Sequence, residues 1–229
     1  MKVAVIIVSW NSKAWILDCL RGLLTHEPCP IYVVDNASSD GSVELIAREF
    51  PSVRLIPMPA NLGFGGGNNL GMKSAFADGF DAVFLLNNDT IIDQPFIAPC
   101  VAAVKRDPTI GIIGPIIVEG QDPTVVQSRG GRIQMATLDF AYLGRGEIYH
   151  ASEKVDGVDY VLGAAMLITK DAYQRTRGFD EEYYPAYVEE ADLCYRVSRS
   201  GLRNVVCYSS RVRHLGEASS GGSERSFRL

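Results

Sequence analysis

Val83-Phe84-Leu85-Leu86-Asn87-Asn88-Asp89 is an apolar run that stops at three polar residues, the last of them an acid. Consecutive apolar residues bounded by polar ones are what a strand covered on both faces requires. A strand ending in acid puts a carboxylate at the C-terminal edge of a sheet, where open α/β folds place their ligands. Two similar runs precede it, Val3–Val8 and Ile31–Val34, the second ending at Asp35. Between them Ser12 is placed to cap a helix running to about Leu24, with Ile16, Leu20 and Leu23–Leu24 on one side and Pro28 and Pro30 breaking it. A helix near Val43–Phe50 and a short strand Val53–Ile56 follow. Asn61-Leu62-Gly63-Phe64-Gly65-Gly66-Gly67-Asn68-Asn69 then reads as a loop leading into a helix through Phe76. This β-α repetition predicts a mostly parallel sheet with right-handed crossovers.

After Asp89 the pattern loosens. A helix is expected over Pro95–Arg106, and strand-like runs over Ile110–Val118 are interrupted by Gly114-Pro115. Glu119–Asp159 has no clear period and reads either as a mixed extension of the sheet or as a mobile loop over a site. Val161–Thr169 reads as a strand, Glu189–Ser200 as a helix stopped by Gly201, Val205–Tyr208 as a last strand, and Leu215–Leu229 as an irregular tail.

The chain has 229 residues, 47% hydrophobic and 21% charged, which suits one soluble globular domain, with room for a small appended lobe. A formal net charge of -5 argues against nucleic acid as a partner. The five cysteines form no C-x-x-C, and with three histidines no zinc pattern appears, so they read as buried thiols in a reducing compartment. The N-terminal apolar run is too short for a signal peptide. No apolar stretch approaches the roughly 18–20 residues needed to span a bilayer. The expectation is a soluble, cytoplasmic protein.

The glycine-rich segment invites a dinucleotide reading, but G-x-G-x-x-G is absent because Asn68 stands where the third glycine belongs. A P-loop is missing too. A turn needing positive φ explains glycines alone; the asparagines at 61, 68, 69, 87 and 88 favour a polar ligand surface. Asp35 and Asp89 both follow apolar strands and so share one sheet edge. Helix capping is the competing role for each, but Asp40 and Ser39 are better placed than Asp35, and Asp93 is better placed than Asp89. On the acidic helix, Glu190 shares a face with Leu193, Cys194 and Val197, while Glu189 lines up with Asp192 and Arg196. Glu190 therefore points towards apolar surroundings, which raise a carboxyl pKa and favour proton acceptance. Asp192 and Arg196 suit an i, i+4 ion pair. A lone His214 is more often structural; as a metal ligand it must meet Asp89 in space.

Taken in order, these segments resemble the inverting family 2 glycosyltransferases of GT-A fold, especially the bacterial rhamnosyltransferase-like branch. The resemblance rests on Val8–Asn11, Val33–Ser42, Asn61–Gly71, Leu85–Asp89, Gly163–Ile168, Gly178–Glu181, Glu189–Arg196 and His214, and covers nearly the whole chain. It implies a Rossmann-like, mostly parallel central sheet flanked by helices, with a smaller mixed C-terminal sheet region. Residues 1–93 would form a nucleotide-binding half and residues 94–229 an acceptor and catalytic half of one domain. It implies transfer of a sugar, rhamnose among the candidates, from a dTDP- or UDP-sugar to a hydroxyl of a saccharide or lipid-linked saccharide in cell-surface polysaccharide synthesis, at the inner face of the membrane.

In that resemblance Ser9, Asn11, Asp35, Asn61, Gly63, Asn68 and Asn88 would line the nucleotide pocket, and Asp89 with His214 would hold Mg²⁺ or Mn²⁺. Glu190 would be the base, and Gly163-Ala164 would border donor sugar and acceptor. Two departures stand out. Asn87-Asn88-Asp89 lacks the first acid of D-x-D, and Glu190 is one methylene longer than the usual Asp, which leaves Glu189 and Asp192 as rival bases. A non-catalytic nucleotide-sugar-binding protein or regulatory subunit is the alternative; a sugar-phosphate nucleotidyltransferase would need a G-x-G-T-R-like loop after the first strand, where this chain has Ser9-Trp10-Asn11. Arg211, Arg213, Arg225 and Arg228 read as a solvated basic tail, with anionic lipid as the competing contact.

Overall fold

The structure is a computed structural model, and it describes residues 1–134, 137, 139–184 and 188–216. In chain order the elements are β1 (Val3–Ser9), α1 (Ile16–His26), β2 (Ile31–Asp35), α2 (Ser42–Glu49), β3 (Arg54–Pro57), α3 (Gly63–Ala77) and β4 (Ala82–Leu86). Then come β5 (Thr90–Ile91), α4 (Ile97–Arg106), β6 (Ile110–Glu119), β7 (Val126–Ser128), β8 (Gly131–Gln134), β9 (Asp139–Tyr142), β10 (Val155–Gly157), β11 (Ala165–Thr169), α5 (Lys170–Thr176), α6 (Glu189–Arg199) and β12 (Arg203–His214).

One ten-stranded sheet runs in the order β10-β12-β6-β11-β4-β1-β2-β3, with β5 on β12 and β7 on β6. Strands β4, β1, β2 and β3 are parallel. β11 joins antiparallel between β4 and β6, which fuses the mixed C-terminal strands to the parallel ones as a single sheet. The stretch of uncertain period supplies β7 and β10 to that sheet and a separate two-stranded ribbon, β8–β9.

Period-two alternation splits the core. Val5 and Ile7 face the cluster built with α1, α2 and α4, through Leu20, Ile46 and Cys100. Ala4 and Ile6 face the other cluster, with Met72 of α3, Ala172 of α5 and Leu193 of α6. Helices on both faces are why β1, β2 and β4 read as unbroken apolar runs.

Four expectations are corrected. The glycine-rich segment is the first half of α3 rather than a loop. A Cβ on Gly67 would lie 2.9 Å from Val8 Cγ1 and one on Gly71 would lie 2.4 Å from Ile6 Cγ2, so the glycines let the helix sit against β1. Ser12 does not cap α1 with its side chain; its hydroxyl bonds Ser9 Oγ at 2.7 Å. Asp93 does not cap α4: it pairs with Arg211 and Arg213, while the Glu27 carboxylate accepts from Phe96 N–H and Ile97 N–H. Consequently Arg211 and Arg213 belong to β12 and are no tail; Arg225, Arg228 and the rest of the tail beyond 216 lie outside the described residues. Among the described residues no helix is long and apolar enough to cross a membrane.

Candidate active site

Strand order reverses at β1, which lies between β4 and β2, and that switch point opens a crevice at the C-terminal sheet edge. The ends of β1, β2 and β4 deliver Ser9, Asp35 and Asn87–Asp89 there. Ser9 O accepts from Asn36 N–H at 2.8 Å, and Asn88 Nδ2 donates to Val8 O at 3.1 Å, tying the three strand ends together. The Asp35 carboxylate, almost fully buried, accepts from Ser38 N–H at 2.9 Å and from Ser38 Oγ. Asn11 Oδ1 accepts from Ser39 N–H and its own N–H donates to Ser38 Oγ, both at 2.9 Å. Asn11 and Ala37 adopt φ of 48° and 59°, so both loops at this edge are held in the left-handed region without glycine.

The asparagines around α3 serve the backbone rather than an open polar surface. Asn61 Oδ1 accepts from Gly63 N–H at 2.8 Å, and Asn68 Nδ2 donates to Phe64 O at 3.0 Å from a buried position. Asn69 accepts from Phe179 N–H and donates to Phe179 O and Glu181 Oε1. Asn36, which the sequence did not single out, donates to Gly63 O at 2.9 Å.

His214 and Asp89 meet. The antiparallel register of β12 with β5 sets His214 opposite Thr90, and Leu215 N–H donates to Asp89 O at 3.0 Å. His214 Nε2 lies 3.2 Å from Asp89 Oδ1 and 3.4 Å from Asn87 Nδ2. Gln127 completes the group: its Nε2 donates to Glu119 Oε2, which turns Oε1 towards His214 Nδ1 at 2.8 Å. A carbonyl oxygen only accepts, so Nδ1 carries a proton, which leaves Nε2 to face Asp89 as a lone pair in the neutral ring or as a donor in the imidazolium. A positive charge between Nε2 and Asp89, proton or metal ion, suits this geometry, and imidazole oriented through its other nitrogen is the usual arrangement of a metal-binding histidine. Among the described residues no group of three His, Cys, Asp or Glu side chains surrounds one metal position. One carboxylate and one imidazole suit a divalent cation that would draw further oxygen ligands from outside the protein. No feature of the sequence marked Gln127.

Across the crevice, α6 begins after Val188, whose φ of 72° is strained for a β-branched residue. Glu189 is buried beside Gly65, Gly66 and Glu181. Asp192 pairs with Arg196 at 2.6 Å, and Arg196 also donates to Thr176 O and Gly178 O. Part of the Glu190 side chain reaches solvent, yet protein surrounds its carboxyl, and burial raises its pKa above the ordinary carboxyl value. The Gly163 N–H, bonded to it, offsets part of that rise. The next residue, Ala164, accepts from Asn87 N–H at 2.9 Å. Glu190, Gly163-Ala164, Asn87–Asp89 and His214 thus form one connected rim.

Residues 1–228 match the sequence model of the family described as Glycosyltransferase like family 2. The chain belongs to that family. It is 29% identical over 223 residues to an N-acetylglucosaminyl-diphospho-decaprenol L-rhamnosyltransferase of Mycobacterium tuberculosis, an alignment covering 87% of this chain and 70% of that protein. Among solved structures, GalNAc-T7 with UDP, GalNAc and Mn²⁺ superposes with a TM-score of 0.75 at 14% identity, over 93% of this chain and 44% of that one. Staphylococcus aureus TarS residues 1–349 with UDP gives 0.67 at 16% identity, over 93% and 60%. The family 2 chain therefore has the GT-A glycosyltransferase fold and spans about half the length of these solved structures.

Proposed function

We propose that this chain is an inverting glycosyltransferase that moves a sugar from a nucleoside diphosphate to a hydroxyl acceptor. The observation that carries the reading is the convergence of Asp89 and His214 at the nucleotide edge, on the same rim as Glu190. Ser9, Asn11, Asp35 and Asn88, with the Asn61–Gly63 turn, hold the nucleotide from the 1–93 half, while Asn68 fixes α3 behind them. Residues 94–229 supply His214, Glu190 and the acceptor side. Asp89 and His214 hold Mg²⁺ or Mn²⁺, which when bound offsets charge on the departing diphosphate.

The acceptor oxygen attacks the anomeric carbon from the face opposite the diphosphate. As that C–O bond forms, the bond to the diphosphate oxygen breaks, and the acceptor proton passes to the Glu190 carboxylate. The desolvated position of Glu190 supports it as the base over its neighbours: Asp192 is engaged by Arg196, and Glu189 is buried beside α3. The mycobacterial relative's name gives a diphospho-lipid sugar as its acceptor and rhamnose as its sugar. We infer the same acceptor class here, met at the inner face of a membrane, with a dTDP- or UDP-sugar as donor.

Calorimetric titration of UDP, dTDP and GDP, each with Mn²⁺ and with EDTA, tests the site. Binding of one nucleotide that needs the metal and is lost in Asp89→Ala is the expected result. Equal binding with and without metal, or none to any of the three, would overturn the proposed metal site.

A further inference from the structure

The β8–β9 ribbon stands apart from the main sheet, and its outer strand carries two aromatic rings on one face. Phe140 and Tyr142 lie two residues apart on β9, opposite Ile133 and Gly131, and are 37% and 46% exposed. Both lean on the buried Tyr160, with ring centroids at 6.0 and 6.2 Å. Tyr160 fits beneath the ribbon because Gly131 has no side chain; a Cβ there would lie 2.1 Å from the tyrosine Cζ. Gly131 N–H also donates to Tyr160 O, and Asp159 N–H to Gly131 O, each at 2.9 Å.

This ribbon is fixed to the base. Val161 N–H donates to Cys194 Sγ, one helical turn beyond Glu190 on α6, and Gly163 N–H reaches Glu190 itself. Burial is the largest cause of a raised pKa at both Tyr142 and Tyr160; at Tyr160 the neighbouring Tyr142 and then the negative charge of Glu190 add to it, and at Tyr142 Glu190 adds to it while Arg145 opposes the rise. The exposed rings are therefore joined to Glu190 through the Tyr160–Gly163 segment, with Asp159, which accepts from Ile133 N–H at 2.8 Å, among their polar neighbours. Two half-exposed aromatic rings with charged and hydrogen-bonding groups close by match a sugar, with its apolar C–H face and polar rim, better than they match a lipid tail.

We propose that the Phe140–Tyr142 face is the shelf on which the acceptor's sugar ring lies, with its reacting hydroxyl turned to Glu190, and that Tyr142 sets acceptor affinity. This rests on Glu190 being the base. The probe is octyl N-acetylglucosaminyl diphosphate, the short-chain form of the relative's acceptor. Tyr142→Ala should raise its KM about tenfold, as expected from losing one well-stacked ring, with kcat little changed and the metal-dependent nucleotide Kd unchanged. Tyr142→Phe should keep the wild-type KM.

An unchanged KM in Tyr142→Ala, or a parallel loss of nucleotide affinity, would overturn the shelf. Saturation-transfer NMR of the probe with protein, diamagnetic Mg²⁺ and nucleoside diphosphate gives a readout free of turnover. Binding lost only in Tyr142→Ala supports the proposal; equal binding by both forms, or none by the wild type, refutes it. Glu190→Gln separates the two readings, because full turnover in that variant would remove the base while leaving the shelf to stand on the probe's binding.

Discussion

Gly71→Ala is the sharpest test of how the site is held, because two effects of known size oppose each other there. Alanine is the better helix former by about 1 kcal/mol, so an unconstrained helical glycine gains stability when replaced. Gly71 is constrained. The new Cβ would lie 2.4 Å from Ile6 Cγ2, where carbon atoms ordinarily rest about 3.5–4.0 Å apart, so the gap must widen by more than 1 Å. Ile6 cannot yield, since it is fully buried and paired with Tyr32 on one side and Leu85 on the other. The helix must lift from β1, and overpacking of this kind costs about 1–3 kcal/mol. A shift beyond 1 Å belongs at the upper end, leaving a net loss of about 2 kcal/mol, or roughly 4–8 °C in Tm for a domain of this size. Differential scanning calorimetry measures it. Ile6→Ala should relieve the clash, making the double variant more stable than the sum of the single losses. A Tm for Gly71→Ala equal to or above wild type would refute the close packing of α3 on β1.

Three further outcomes follow from the same geometry. Glu190→Gln should leave nucleotide binding intact and depress turnover at least about 10²-fold, while melting above the wild type at pH 8. The sign follows from the raised folded-state pKa: between the ordinary carboxyl value and the raised one the native state binds more protons, so wild-type stability falls as pH rises through that window. The neutral amide escapes that loss, so the gap should close near pH 4, and a lower melting point at pH 8 would contradict it. Asn69→Ala removes three hydrogen bonds to Phe179 and Glu181 and should destabilise by about 1–3 kcal/mol, with faster hydrogen exchange at the Phe179 amide; unchanged exchange would count against Asn69 as the link from α3 to Phe179. Glu27→Ala leaves Phe96 N–H and Ile97 N–H without their carboxylate and should lower stability by about 1–2 kcal/mol, read from urea denaturation; no change would return the capping role to another group.

The parallel half of the fold was legible because burial on two faces leaves its mark on every residue of β1, β2 and β4. Their acidic and polar ends were legible for the same reason, since an apolar run must stop where the sheet edge begins. The start of α3 was not. Its glycines have poor helix propensity, and only the contact with Val8 and Ile6, distant in sequence, makes them fit. β6 was hidden by Gly114-Pro115, yet it runs unbroken because Pro115 pairs with Cys207 immediately before the register shift to Arg211, and Gly114 makes room for Val161. His214 looked like part of a tail because its neighbours are arginines. Those arginines face Asp93 across the sheet edge, and β12 carries the histidine to Asp89.

Asn87 offers the most direct check on where the cation sits. Its Nδ2 lies 3.4 Å from His214 Nε2, and Asp89 Oδ1 lies 3.2 Å from the same atom, so Asn87→Asp would place a second carboxylate at the edge of the proposed site. Without metal the two carboxylates repel in a partly desolvated place, and the variant should melt below the wild type in EDTA. With Mn²⁺ the same charge becomes a ligand, and at one saturating metal concentration the variant gains over the wild type about 1.4 kcal/mol of native-state stability for each tenfold by which it binds the ion more tightly. The variant should then melt above the wild type. This reversal of sign between EDTA and Mn²⁺ is what a cation shared by Asp89 and His214 requires. A shift of the same sign in both conditions would mean that the pair is a structural contact and that any metal binds elsewhere.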